Sequence, residues 1–494
     1  MNNKGQTTVF FSLMISALLL FTFTALEAAR IHMGRVKMMS CVHSMRSSMM
    51  ADYNSKLFER YHLLFMDPTY GTGSEAVAEE KIEDYLEVSL NGEKGNDSGI
   101  YIFTVEEIAI AGQLDILSED MKQVKAQIAD YEKKAGLTNR IKKLTEKLKK
   151  DTNNVADAAQ ETEINGVELP ISETDSTAEQ ENPEEQEEKI EVEDPRETLK
   201  ESLKFGTLAF VLPGSTISKQ EYDFTEAPSM KYKEQKEEDK DNSFQDIGFL
   251  KKLLKNSAEE QNINGLTQQA AFVDYVTNNF SNGVNSNPDS VMQCEVEYIL
   301  KGKSSDYDNL QAVVDELTWM RMPINYACLL TDSEKKSEAL TLAATICTAA
   351  GSPGLTEVVK YLLLGCWAYG ETLCEMKGLL SGEEIAYFKT KENWNTDLKN
   401  LAAAGTKKKI QHGLSYEEYL MVLLSGKTGK RLNTCYARML DMMELNLQKE
   451  DPDFHIADCV GAMTIQGKIS VNSHFMQGQP ESLYEYYFQE EIAY

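Results

Sequence analysis

The chain has 494 residues, 42% hydrophobic and 26% charged, enough for two or three domains with a sizeable core. Its formal net charge of −29 at pH 7 argues against nucleic acid as a partner, because phosphates would be repelled by such a surface. Eight cysteines without a CxxC pair, and histidines without zinc-finger spacing, argue against structural zinc.

A short leader, residues 1–5, precedes the first element. Gly5 to Leu26 carries no charge; at 1.5 Å per residue these positions give a helix of about 33 Å, enough to cross the hydrocarbon core of a bilayer. Residues 6–29 are therefore read as an uncleaved membrane span, with Thr7, Phe10, Leu18 and Leu26 in contact with membrane lipid. A cleavable signal has a shorter apolar stretch before its cleavage site, and a soluble core helix does not lack a polar face for six turns.

The helix is expected to continue through residues 30–66. Val42, Met45, Met49, Tyr53, Leu57, Tyr61 and Leu64 recur at three- and four-residue steps and form one packing stripe. Asp67-Pro68 ends the run. The interleaved methionines read as core filling.

Residues 67–150 are expected to hold a strand at Ile100–Ile110 and a helical hairpin or arm. Ile82–Leu90 fits either helix or strand. The helical pattern steps through Leu114, Leu117, Met121, Val124, Ile128 and Tyr131, and resumes at Leu137, Ile141, Leu144 and Leu148. Residues 151–197 form an acidic linker or surface insertion read as disordered. Between Glu173 and Glu197, twelve Asp and Glu face only Lys189 and Arg196, too little apolar surface to offset the entropy of ordering.

Residues 198–494 are read as one α+β domain. Helices are expected at Arg196–Leu203, Phe249–Leu254 and Gln268–Phe280, and a strand at Met292–Leu300. A helical bundle follows in Leu310–Leu380, Tyr416–Leu424 and Arg431–Leu447, flanked by antiparallel strands at Phe454–Val471 and Leu483–Tyr494. One expected stripe is Val313, Leu317, Met320, Ile324 and Ala327. Val358–Tyr369 is the expected central bundle helix, with Trp319, Trp367 and Trp394 as core anchors.

No residue is nominated as catalytic, cofactor-binding or metal-ligating, and an enzyme is not expected. Ser425-Gly-Lys-Thr428 ends like a phosphate-binding loop but lacks the leading glycine and the preceding strand. The histidines are scattered and form no HExxH, and no GxSxG elbow occurs.

The N-terminal sequence KGQTTVFFSL, continuing to Leu26, resembles TadE/TadG-like pseudopilins of the type IV pilus class. That resemblance implies a leader ending in glycine, with processing between Gly5 and Gln6, and an apolar helix running into an exported domain. Those proteins carry a glutamate five residues after the processing glycine. Here that position is Phe10, which points to an accessory rather than a polymerising subunit. EYILKGKSSDYDNLQAVVDELTWMRMPINYACLLTD, WAYGETLCEMKGLLSGEEIAYFKTKENW, LSYEEYLMVLL and RMLDMMELNL, with LEAARI and YHLLFMD, resemble the DUF5702 family of Firmicutes, which implies envelope proteins found with Tad-type components.

The expectation is thus a single-pass membrane protein acting as a structural or accessory component of a Tad-like pilus or secretion apparatus. Its partners would be other subunits, reached through the N-terminal helix. A tethered adhesion module and an envelope hydrolase are the alternatives. Arg30, Arg35 and Lys37 after the span, against Lys4 before it, favour a cytoplasmic C-terminal part; the resemblance implies an extracytoplasmic one, and the latter is expected.

Overall fold

Helix α1 runs from Lys4 to Ala51. The computed structural model describes residues 4–92, 103–135, 140, 143–150, 206–212, 217–234, 263–391, 393–398, 413–472 and 483–494. The acidic linker, the Arg196–Leu203 and Phe249–Leu254 helices, and most of the 137–142 stretch lie outside the described residues. The fold is α+β, as expected, and divides into two units.

The first unit comprises residues 1–128, 227–232 and 443–494. After α1 come α2 (Ser55–Tyr61) and α3 (Ala76–Asn91), then β1 (Phe103–Asp115) and α4 (Ser118–Ala135), whose last residues belong to the second unit. At its other end lie β2 (Val460–Asn472) and β3 (Leu483–Ala493). The strands form an antiparallel sheet in the order β1-β2-β3. Three register shifts interrupt the β1–β2 ladder, whereas β2–β3 is regular throughout. Gly467 on β2 leaves room for its cross-strand neighbours: a Cβ there would stand 2.6 Å from the Phe488 ring and 2.7 Å from Ile108.

One stripe of α1 packs on this sheet and on α3. Glu27, Arg30, Met38, Val42, Met45 and Met49 are buried along it. Met38, Val42, Met45 and Met49 share a core with Ile82, Leu86 and Leu90 of α3 and with Ile465, Ile469 and Ile492 of the sheet. Each such side chain contributes roughly 1.5–3 kcal/mol by leaving water. Polar bonds fix the register. The Tyr486 hydroxyl on β3 donates to Ile31 O (2.8 Å), and the hydroxyl of Tyr494, the residue after β3, to Met49 O (3.2 Å). Eighteen helical residues and eight strand residues each span about 27 Å, so the two bonds clamp helix and strand over matching lengths. Lys37 Nζ donates to Leu90 O (2.5 Å), satisfying a carbonyl of the last turn of α3.

The continuous stalk to Met66 is corrected here. The helix ends at Ala51 and restarts at Ser55, where the Asn54 side chain accepts from Leu57 N (2.9 Å) and caps α2. His62 adopts a left-handed conformation and stops α2 after two turns. Tyr53 therefore lies between helices, and Leu64 lies beyond the second, its N–H and carbonyl both bonded to the Gln127 amide. Ile82–Leu90 resolves as helix. Leu114 belongs to β1, not to the helix that follows.

The second unit comprises residues 129–226 and 233–442. Its helices include α5 (Thr207–Val211), α6 (Pro228–Glu234, shared with the first unit), α7 (Ile263–Asn279), α8 (Glu295–Lys301) and α9 (Asp306–Thr331). They continue with α10 (Ser333–Ala349), α11 (Thr356–Leu380), α12 (Tyr416–Ser425) and α13 (Lys430–Leu447), whose last residues belong to the first unit. Helix α11 packs against both α9 and α10.

Two further expectations are corrected. Met292–Leu300 is not a strand: residues 295–300 form α8 and are buried on every side, so no one-sided stripe could reveal the helix. The α9 stripe is also rotated. Leu310, Val313, Leu317, Arg321, Asn325 and Leu329 are buried, while Met320 and Ile324 are half-buried and Ala327 is exposed. Trp319 is 70% exposed and no core anchor, unlike Trp367 and Trp394.

Met45→Ala should destabilise the first unit by roughly 2–5 kcal/mol through lost burial and a residual cavity. Urea unfolding followed by far-UV circular dichroism measures this; an unchanged midpoint would show that the stripe does not hold α1.

Candidate functional site

The first half of α1 is apolar on all sides. Phe10, Leu18 and Leu26 are 64%, 61% and 52% exposed, and Val9, Leu13, Leu20 and Phe21 are exposed around the same turns. Thr7 is exposed as well, while Gly5 and Gln6 lie within the helix. Three hydroxyls in this stretch turn back on their own helix: Ser16 donates to Ser12 O (2.9 Å), Thr22 to Leu19 O (2.9 Å) and Thr24 to Phe21 O (2.8 Å). Such bonds satisfy polar side chains without water. An exposed apolar surface of this extent marks a site of interaction with lipid or with another protein. Among the described residues, this is the one helix long and apolar enough to cross a membrane.

The burial pattern changes at Glu27. That carboxylate takes a two-point contact from Arg30, with Nη2 at 2.7 Å and Nε at 3.2 Å, and both side chains are buried. From there to Met49 the exposed-on-all-sides pattern gives way to the one-sided stripe. Of the predicted stripe residues, Val42, Met45, Met49, Leu57 and Tyr61 are buried; Tyr53 and Leu64 are half-buried.

The second unit holds a buried polar cluster that sequence reasoning missed. Arg321 on α9 and Glu375 on α11 form a two-point pair, Nε to Oε2 at 3.0 Å and Nη2 to Oε1 at 2.9 Å. Lys389 Nζ lies 2.5 Å from Glu371 Oε1 and 2.9 Å from Glu375 Oε1, in ion-pair contact rather than aligned hydrogen bonds. Asn325 donates to Thr372 and Glu375, Arg321 donates to Tyr387 O, and Glu371 accepts from Thr396 N (2.8 Å). Two cations and two anions balance. Burial alone would raise the Glu375 carboxyl, but Arg321 and Lys389 hold it at about 2. The cluster clamps the segment after α11, whose Trp394 stands at right angles to Trp367, 6.0 Å between ring centres. Glu371, Glu375 and Arg321 are all fully buried.

A second group surrounds α8. Glu297 Oε1 accepts from Gly283 N (2.8 Å) and the Tyr416 hydroxyl (2.7 Å). Burial nevertheless pushes its carboxyl up to about 7, and Asp306 adds to the rise. Glu295 accepts from Ser281 N and from the Ser281 and Ser290 hydroxyls. Among the described residues, no three His, Cys, Asp or Glu are arranged to hold a metal ion.

The remaining motifs take ordinary roles. Lys427, in the sequence that ends like a phosphate loop, pairs with Glu316 (3.1 Å), and the segment follows helix α12 rather than a strand. None of the eight cysteines is in a disulfide, and five of them are buried. His412 and His474 lie outside the described residues.

Fold and surface together define an α+β protein with one long apolar helix, bare in its first half and packed on an antiparallel sheet in its second. Residues 184–471 match a family of unknown function, DUF5702, and the chain belongs to it. No curated protein and no solved structure matches the chain.

Two substitutions test the buried groups. Arg321→Met, which strands Glu375, should cost roughly 3–5 kcal/mol; all three tryptophans lie in this unit, so their fluorescence reports its unfolding. An unchanged midpoint would contradict the clamp. Glu297 gives a pH signature. Its folded carboxyl keeps a proton that the unfolded chain releases near 4.5, so its contribution to stability falls as pH rises from 4.5 to about 7. Glu297→Gln mimics the protonated form and should be more stable than the parent at pH 8, by up to roughly 3 kcal/mol, with the difference gone at pH 4. Glu132, raised to about 7 chiefly by burial, titrates in both proteins and cancels in the comparison.

Proposed function

We propose that this chain is a membrane-tethered, extracytoplasmic structural or accessory component of a Tad-like pilus or secretion apparatus. The observation that carries the reading is the division of α1: residues 7–26 expose apolar side chains on every face, and residues 27–49 dock one face on a sheet. A bilayer takes the first half, which needs about 20 residues for the hydrocarbon core; the sheet holds the second. The KGQTTVFFSL start and an apolar helix that runs on into a folded domain are the features that resemble pseudopilin-type subunits. An outside domain accords with that likeness, and the exposed face of α1 is the surface through which other subunits would be met. The two buried polar groups serve folding, leaving the helix as the functional element.

Ile15→Arg combined with Leu18→Arg should raise the cost of inserting the span by roughly 6 kcal/mol and release the protein from carbonate-washed membranes; retention in the pellet would contradict the tether. In cells, an external protease should cleave the domain, the mature N-terminus should begin at Gln6, and pilus or secretion subunits should co-purify. A domain protected from external protease would place it in the cytoplasm, and purification without such subunits would remove the apparatus from the reading.

A further inference from the structure

We infer that the outer edge of β3 takes an extended, lysine- or arginine-bearing segment of another protein as a further strand of the sheet. Tyr494 N donates to Gly461 O, and bonded pairs alternate along an antiparallel ladder. The N–H and C=O of Glu485, Tyr487, Gln489 and Glu491 therefore point away from β2. All four residues are exposed, and among the described residues these backbone groups have no hydrogen-bond partner. The opposite edge of the sheet is closed. Asn91 bonds both the N–H (3.1 Å) and the C=O (2.9 Å) of Phe103, and Glu79 accepts from Ile110 N (3.0 Å). Three register shifts also break the line of β1. β3 has no bulge, glycine or proline, so it offers an added strand a regular template.

Charge says what that strand carries. Lys468 of β2 lies 2.6 Å from Glu106 and 2.7 Å from Glu485, one cation between two carboxylates. Glu490, on the face toward α1, is answered by Arg46. Glu491 has no ion-pair partner among the described residues. The outer face of the edge is thus acidic, and a strand beside it gains by placing Lys or Arg opposite Glu485 and Glu491, as Lys468 does from β2. Its alternate residues lie on the α1 side, next to half-buried Tyr484, Tyr486 and Phe488, and are apolar.

Geometry excludes a second copy of this chain. Tyr486 bonds to Ile31 and Tyr494 to Met49, so α1 and β3 run in the same direction. Two β3 edges closing on each other pair antiparallel, because a two-fold axis along parallel strands sets each N–H against its own copy. Antiparallel pairing turns the two α1 helices opposite ways. Their apolar halves then leave from opposite ends of the joined sheet, and one bilayer cannot take both. Full overlap also sets Glu485 against Glu491. Open pairing of β3 with β1 of another copy meets the edge that Asn91 and Glu79 occupy. The exclusion of the closed pair rests on the membrane-tethered reading; the free edge and its charge do not.

The test uses the full chain in its own cells, with a photo-activated benzophenone amino acid at Gln489 or, as a control on the closed edge, at Thr104. Adducts are digested and the captured peptide is sequenced by mass spectrometry. A segment of another protein in which Lys or Arg alternates with apolar residues, captured at Gln489 and not at Thr104, is expected. Tyr487→Pro removes an outward N–H and leaves the β2 ladder whole; Glu491→Lys reverses the unpaired charge. Each should abolish the adduct while thermal unfolding stays unchanged. The inference is overturned by the absence of a protein adduct at Gln489, by equal capture at Thr104, or by a captured peptide that lacks basic residues or comes from this chain. An adduct that survives either substitution in a folded variant overturns it as well. Carbonate-washed membranes from the same cells score the tether separately. Retained protein without an adduct overturns the edge alone, and a basic-segment adduct on released protein overturns the tether alone.

Discussion

An α-helix satisfies its own backbone hydrogen bonds, and the rest of the first unit depends on that property. One element can then pass from a surface with no polar partner to a packed core without exposing an unsatisfied group. In α1 the change falls at Glu27 and Arg30, whose side chains pair with each other on the helix face that becomes buried. Pairing lets the first charges after residue 26 sit in the packed stripe, where a single unpaired charge would cost several kcal/mol. Beyond them Tyr486, Tyr494 and Lys37 hold the helix to sheet and neighbour by bonds to backbone carbonyls, which fix register as well as position.

The second unit reaches order differently. Helices α9 and α11 meet through Arg321, Asn325, Glu371 and Glu375, with Lys389 joining from the following segment. Removing such charges from water costs about as much as their attraction returns. The network joins α9 to α11 through the two-point Arg321–Glu375 contact and, in the following segment, ties Lys389 to the carboxylates of Glu371 and Glu375 and Thr396 to that of Glu371.

How much of this was legible in the sequence follows from where the signals lie. The apolar start of α1 and the steps Val42, Met45 and Met49 are local and periodic, and they translated directly into exposure and burial. The break at Asp52–Asn54 carries neither glycine nor proline, and the apolar stripe runs on across it, so the cap supplied by Asn54 leaves no local mark. Helix α8 is buried all round, so its pattern had no polar side to mark the period. The Arg321 cluster joins residues more than fifty positions apart, and in a chain this acidic each of its carboxylates reads as solvated surface. Trp319 shows the converse: a large aromatic placed in the core by composition alone faces outward once α9 turns its polar residues inward.

The most direct measurement is the oxygen accessibility of a spin label walked along α1 from Thr7 to Met49, attached through a non-cysteine handle in full-length protein reconstituted in bilayers. Uniformly high accessibility from Thr7 to Leu26, followed from Glu27 by a 3.6-residue oscillation with minima at Glu27, Arg30, Met38, Val42, Met45 and Met49, is the expected result. An oscillation that begins before Leu26 would mean a protein partner covers one face of the first half, and uniformly low oxygen accessibility there would mean that no lipid surrounds it; either contradicts a helix divided between bilayer and sheet.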